Sequence, residues 1–403
     1  MALLRLITLL LCSGLMIVSS VSSATESTPE PRDRALLPYY FNTDTLGNTV
    51  GVAGVMKGIG QPQAGLFGLG LYSDKKSHIS LLAAFDYALG DSWLFNGQVY
   101  QARLNKSPYY VDQQGGNDSA ITDLTLTDGR ESYAEAEFRY LLPWGSVASR
   151  GLDAAFDHRR DVQFGSPLET GISSVIVKPF YTYRKLASLS ESERATGVSI
   201  KFDWDNRDVK QNPTRGSHSS LDLTLGGDEW RRDRSWWKWE LQTSQYYALG
   251  PLGQTLDQQV IAFDFYAADT PSWADCDQQT CTLPPEQEQV RLGGLYRLRG
   301  YTAGRYHGRS AIHYSLEYRA TPRWQPLNDI PVINYYHFGW WQWVAFAEIG
   351  RVSNQADWAQ LHKDMRWTLG GGIRFQVEGI TVRTEMATSA DEQSLVVMIN
   401  QPF

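Results

Sequence analysis

Residues 312–319 alternate without a break. Ile312, Tyr314, Leu316 and Tyr318 are apolar or aromatic, and His313, Ser315, Glu317 and Arg319 between them are polar. Successive side chains of a β-strand point to opposite faces, so this is a strand with one oily and one wet face. The pattern recurs along the chain. Val198, Ile200, Phe202 and Trp204 oppose Ser199, Lys201 and Asp203, and Leu221, Leu223 and Leu225 oppose Ser220, Asp222 and Thr224. Trp237, Trp239 and Leu241 oppose Lys238, Glu240 and Gln242, while Ala134, Ala136, Phe138 and Tyr140 oppose Glu135, Glu137 and Arg139. Ile261, Phe263 and Phe265 oppose Asp264 and Tyr266, and Trp367, Leu369, Ile373 and Phe375 oppose Arg366, Thr368 and Arg374. A chain built of such units is all-β, and each strand has to satisfy two different environments.

The aromatic residues say which environments these are. The sequence holds 14 Trp, 21 Tyr and 15 Phe, but no run of the ~18 apolar residues that a spanning helix needs. Composition alone fits a soluble exported β protein as well as a membrane barrel. The distribution decides. Trp and Tyr gather near strand ends, as in Trp236-Trp237, Tyr246-Tyr247, Tyr335-Tyr336 and Trp340-Trp341, where barrels carry their interfacial girdles. Charges such as Glu135, Glu137, Lys238 and Glu240 share the opposite parity, as they must if that face lines a wet lumen and the other meets lipid.

The start of the chain reads as an export signal. One positive charge lies in residues 1–5, a short apolar stretch follows over 6–18, and Ser22-Ser23-Ala24 is a small-residue cleavage site, so residues 1–24 are expected to be removed. Residues 25–48 are polar and contain proline, and read as a short flexible periplasmic leader. Residues 49–403 are left as the barrel domain. The formal net charge is −7 with no basic run, which gives nucleic acid no footing. Cys276 and Cys281 remain after export. In an oxidising envelope a disulfide closing a small surface loop is the default reading; a metal pair is the alternative, and no histidine lies near it in sequence.

Counting units places strands starting near residues 49, 65, 78, 93, 131, 150, 176, 195, 217, 236 and 257, then near 309, 341, 366, 379 and 394. The total is about sixteen, an even number that puts both ends on the periplasmic side. On this count residues 109–129 form a long surface loop, the segment DNRDVKQNPTRG from Asp205 to Gly216 is a periplasmic connection, and the stretch before residue 309 is the sixth extracellular loop.

Three segments then carry a family resemblance. Residues 290–319 hold a Gly/Arg/Tyr-rich loop with Leu298-Arg299-Gly300-Tyr301 at its centre and Gly304-Arg305 beyond it. Asp203, Arg207 and Asp208 are followed by Asn212-Pro213-Thr214-Arg215-Gly216, which resembles a strand-turn-strand element; as a bare pattern it is also an ordinary Asn-Pro/Gly turn. At the chain end Leu395, Val397 and Ile399 alternate toward Phe403, similar to the last strand of outer-membrane barrels, although Gln401 stands where an aromatic residue is usual. Together, over roughly residues 197–403, they resemble the BamA/TamA-like outer-membrane assembly and translocation barrels, the bacterial surface antigen family.

The resemblance implies a transmembrane antiparallel barrel in the outer membrane of a Gram-negative-type bacterium, with the sixth loop folded inward. A buried guanidinium needs carboxylates, and the resemblance implies that Arg299 docks on Glu317 and on Glu348, where the family usually has Asp. The function it implies is insertion or translocation of protein or lipid clients through a lateral seam, in contact with outer-membrane lipid and lipopolysaccharide. The 24-residue leader is too short for the periplasmic POTRA domains of the family's assembly members, which weakens the insertase reading; a periplasmic partner protein is one way in which they could be supplied. A passive or loop-gated pore for small solutes is the alternative. No catalytic residue, metal site or cofactor is expected: neither a G-x-S-x-G elbow nor an H-E-x-x-H motif is present, and the histidines are scattered.

Overall fold

A computed structural model describes residues 33–43, 46–111, 115–162, 165–227, 235–275, 283–331, 333–399 and 401–403. The expected signal residues 1–24 and both cysteines of the expected disulfide, Cys276 and Cys281, lie outside them. In chain order the strands are β1 (Arg34–Thr43), β2 (Gly47–Lys57), β3 (Gly65–Ser73), β4 (His78–Leu89), β5 (Trp93–Tyr109), β6 (Thr125–Leu141), β7 (Ile172–Leu186), β8 (Glu193–Arg207) and β9 (Gly216–Gly227). There follow β10 (Ser235–Ala248), β11 (Leu256–Asp269), β12 (Val290–Leu292), β13 (Tyr306–Gly308), β14 (Ser310–Pro322), β15 (Phe338–Ser353), β16 (Arg366–Val377), β17 (Ile380–Ser389) and β18 (Gln393–Ile399). Sixteen of them, all but β12 and β13, form one antiparallel sheet in which each strand pairs with the next of the sixteen in chain order, β11 with β14 included. The remaining two make a small hairpin within the 270–309 connection. No helix among the described residues is long and apolar enough to cross a membrane.

The wall is inside-out relative to a soluble protein. In β14 the polar residues His313, Ser315, Glu317 and Arg319 are at most 1% exposed, while Leu316 between them is 50% exposed. Leu221, Leu223 and Leu225 of β9, and Val198, Ile200 and Phe202 of β8, likewise face outward. The alternation therefore separates a lipid-facing belt from a polar interior.

Two expectations fail and cancel in the count. Residues 34–43, assigned to the leader, form β1, paired with β2 from Arg34–Met56 to Thr43–Gly47. No strand starts near residue 150; the 142–171 connection there holds a short helix, Val147–Arg150, and a 3₁₀ segment, Gly151–Phe156. Its Leu152, Ala154 and Ala155 pack with Leu141, Val147 and Ile172, so apolar residues that suggested a strand serve a small satellite core instead. One consequence concerns sidedness. The loop over 110–124 now joins the fifth and sixth strands and opens on the same rim as the 270–309 loop.

The wall is uneven. β5 and β6 have 17 residues each, whereas β18 has 7. At a rise of about 3.3 Å per residue and a tilt of about 40°, β18 covers about 18 Å, short of the apolar band of about 25 Å. β1 pairs only with β2 and β18 only with β17, so among the described residues no ladder joins the first strand to the last.

Candidate functional site

Residues 290–308 turn back into the barrel, and their sequence explains how. Gly293 and Gly294 adopt φ of +98° and +109°, a region that glycine enters without penalty. Their amides bond Arg297 O and Tyr301 O at 3.0 and 2.9 Å. Leu298 also takes positive φ, +48°, a conformation that costs a branched residue of order 1 kcal/mol. It is held there by complete burial among Leu292, Tyr301, Tyr306, Tyr266 and Val352. Gly304 (φ +68°) sits where a Cβ would come within 2.0 Å of the Arg291 guanidinium, and a Cβ on Gly300 would press on Thr368 at 3.0 Å.

That bend delivers Arg299 to the wall, fully buried. Its Nε donates to Glu348 Oε1 at 2.9 Å, its backbone amide to Glu348 Oε2 at 2.7 Å and its Nη1 to Glu385 Oε2 at 2.8 Å. Nη2 lies 2.8 Å from Glu317 Oε1. The guanidinium is also stacked 3.6 Å over the Phe346 ring. The structure thus places Arg299 against both carboxylates named from sequence and adds a third, Glu385.

The site is larger than the sequence reading proposed. Arg374 bonds Glu317 at 2.8 and 3.0 Å and Glu385 at 2.8 and 2.5 Å. Arg383 reaches Glu385 at 2.7 Å and the Leu295 carbonyl at 2.5 Å, and Arg319 reaches Glu317 at 2.9 Å. Arg374 and Arg383 stand directly opposite across the β16–β17 ladder, a like-charge pairing that is unfavourable unless carboxylates lie between. Four guanidinium groups and three carboxylates thereby make one buried lattice. Breaking one member strands the others as uncompensated charges, which is where such lattices exert their effect.

Arg305 forms a second anchor nearer the rim. It donates to Ser119 Oγ and Ser119 O at 2.6 and 2.7 Å and stacks 4.3 Å over Tyr110. Tyr301 packs edge-on against Tyr306 with ring centres 5.1 Å apart.

The β8–β9 connection enters from the opposite side. Asp208 organises it: Oδ1 accepts from the amides of Val209, Thr214 and Arg215 at 2.8, 2.9 and 3.1 Å, and Oδ2 accepts from Thr214 Oγ1 at 2.6 Å. Arg207 pairs with Asp205 at 2.8 Å, and Asp203 with Arg139 at 2.7 Å. Pro213 is buried, and Gly216 (φ +97°) approaches Asn206 O so closely that a Cβ would sit 2.0 Å away. Gln342 Nε2 on β15 donates to Asn212 Oδ1 at 3.3 Å, so this connection reaches across the lumen.

The chain end departs from its expected course. Leu395 and Val397 face outward and Ile399 closes β18. Phe403 does not continue that face: its ring lies 6.5 Å from Tyr246 and 5.3 Å from the Arg319 guanidinium, and Gln401 accepts from Arg374. The arginine lattice inside the barrel draws the last residues inward, away from the lipid face.

Comparisons agree with this architecture. Residues 60–384 match the Omp85 superfamily domain. Among solved structures, BamA from Haemophilus ducreyi lacking POTRA domains 1–3 superposes with a TM-score of 0.51 at 13% identity over 91% of this chain and 69% of that one. CdiB from Acinetobacter baumannii and CdiB from Escherichia coli each give 0.53 at 12% identity, over 91% of this chain and 59% and 61% of theirs. The chain thus spans about three fifths of the CdiB chains it resembles. No curated protein sequence matches it. The matched domain covers most of the chain: this chain belongs to the Omp85 superfamily and is an outer-membrane β-barrel.

Proposed function

We propose that the barrel assists insertion or translocation of polypeptide or lipid clients through a lateral seam between β1 and β18, in contact with outer-membrane lipid and lipopolysaccharide and with a periplasmic partner protein, and that it carries out no catalytic step. We further propose that residues 1–24 are removed on export. The observation that carries the reading is that the outer edges of β1 and of the 7-residue β18 have no ladder among the described residues, whereas every other strand of the sheet is paired on both sides. The interior supports it. Arg299 and Pro213, in connections that enter from opposite ends, are both buried, so both connections narrow the axis and favour the wall as the route. A short strand thins the adjacent bilayer, and an unpaired edge is a template for another strand.

The test uses the full chain reconstituted in vesicles and a urea-unfolded eight-stranded outer-membrane protein as probe. Folding of the probe is read as its heat-modifiable band. A several-fold acceleration over empty vesicles is the expected result. An unchanged folding rate together with steady uptake of small sugars would reject it in favour of a solute pore.

A further inference from the structure

The outer face of β4–β7 gathers its cations in one row. His78, Arg103, Arg130 and Lys185 stand directly opposite one another along three successive ladders. The adjacent row of opposite parity includes Ala102 and Arg184, both buried, while His78, Arg103 and Arg130 are exposed, so the four belong to the outward face. They lie toward the 110–124 loop, at the extracellular rim. Past β4 the same row continues as Tyr72, Val50 and Tyr40, exposed and uncharged, so the charge is confined to four strands.

Like charges directly opposite on a sheet are unfavourable, and the protein does not relieve these. None of the four makes an ion pair among the described residues. Lys185 Nζ donates only to the carbonyls of Leu189 and Ser190, at 3.2 and 2.7 Å. Asp128, two residues beyond Arg130, accepts the Lys106 amide at 2.9 Å. Inside the barrel the opposed Arg374 and Arg383 share the carboxylate of Glu385; on the outer face the anion has to come from outside the chain. Toward the membrane the face is layered. About 7 Å along the strands the next outward row is Ser80, Gln101, Ser132 and Tyr183, all able to hydrogen-bond. Beyond it come Leu82, Val99, Ala134 and Tyr181, then Ala84, Gly97 and Ala136. The small residues leave a groove of about 670 Å³, bounded by Leu66, Leu82, Phe95 and Tyr181.

We propose that this face binds one lipopolysaccharide molecule of the outer leaflet. The phosphates of its sugar headgroup lie on the cationic row, its amide and ester linkages on the Ser80–Tyr183 row, and an acyl chain in the groove over Gly97. Width selects among anionic lipids. Four strands about 4.8 Å apart spread the charge over about 14 Å, which is wide for the single phosphate of a glycerophospholipid and suits a disaccharide with a phosphate on each sugar. The inference rests on the lipopolysaccharide contact proposed above and gives it a place, on strands away from the seam.

The test titrates the full chain in detergent with bisphosphorylated lipid A, with its dephosphorylated form and with phosphatidylglycerol, and counts bound lipid by native mass spectrometry. One lipid A per chain is expected, held about ten-fold more tightly than either other lipid. Arg103→Gln combined with Arg130→Gln should lower lipid A affinity about ten-fold. Ala134→Trp, which fills the groove, should lower it several-fold; heat-modifiability shows that each variant has folded. Arg215→Gln combined with Arg323→Gln removes two exposed cations from the opposite rim and should leave the affinity unchanged. Undiminished affinity in the folded arginine or tryptophan variant overturns the site, as does an equal loss in the opposite-rim variant or equal affinity for phosphatidylglycerol or dephosphorylated lipid A. Folding of the outer-membrane probe in phospholipid vesicles, which hold no lipopolysaccharide, reads the seam separately. Acceleration there without lipid A binding rejects the site alone; lipid A binding without acceleration rejects the seam alone.

Discussion

At the scale of single residues, Arg299 ties the inward loop to the wall. It contacts three carboxylates on three strands, β14, β15 and β17. Removing one partner of a buried ion pair costs about 3–5 kcal/mol because the other is left uncompensated. Arg299→Ala should therefore lower the temperature at which the barrel loses its compact, heat-modifiable form. Arg299→Lys should recover only part of that loss, since an ammonium cannot reproduce the planar fork or the stacking on Phe346. Equal melting of the Lys variant and the unaltered chain would show that charge alone suffices. Arg299, Glu317 and Glu348 could be named from sequence because the glycine-rich loop resembles that of the family, and the resemblance implies an inward arginine docked on acids of the two wall strands that follow it. Glu385, Arg374 and Arg383 share the inward parity of those acids, but which strand brings them to Arg299 depends on register between elements, and alternation carries no information about register.

At the scale of elements, the β8–β9 connection is held by a single carboxylate. Asp208 accepts four hydrogen bonds within it. Losing it leaves three amides without their acceptor, at about 1–3 kcal/mol for a buried group. Asp208→Ala should release residues 209–215, and limited trypsin digestion from the periplasmic side should then cut after Lys210 and Arg215 faster than in the unaltered chain. An unchanged digestion pattern would mean that Pro213 and the bond from Gln342 hold the turn without Asp208. The same scale explains what alternation missed. β1 reads Ala-Leu-Leu-Pro-Tyr-Tyr-Phe over residues 35–41, apolar on both faces and interrupted by proline. Its inner side packs on wall rather than on water, with the Tyr39 ring lying over Gly51. A period of two is visible only where the two faces meet different solvents, so the strand with similar faces was hidden. The stretch near residue 150 has apolar residues but no alternation, and it buries them locally. Strand number survived because one missed strand and one false one offset each other, while the direction of every strand between them was inverted.

At the scale of the whole molecule, two connections turn into the barrel interior, at Arg299 and at Asn212, and the wall around them is uneven. Deleting residues 295–304 removes the inner plug together with Arg299. If the loop is the main obstruction, the deletion should convert small or absent currents in a planar bilayer into large stable openings; unchanged conductance would assign the seal to the β8–β9 connection and the inward-turned Phe403. The uneven wall has a separate physical consequence. β18 spans about 18 Å against an apolar band of about 25 Å, so lipid beside the seam has to thin, and thinning costs more as the bilayer thickens. Acceleration of client folding should therefore grow relative to spontaneous folding as acyl chains lengthen from about 14 to 18 carbons, because the pre-thinned seam matters most where unaided insertion is hardest. Lengthening β18 to match its neighbours should erase that dependence while leaving the heat stability of the barrel intact. An acceleration that is independent of thickness would locate the activity in edge pairing alone and remove bilayer thinning from the mechanism.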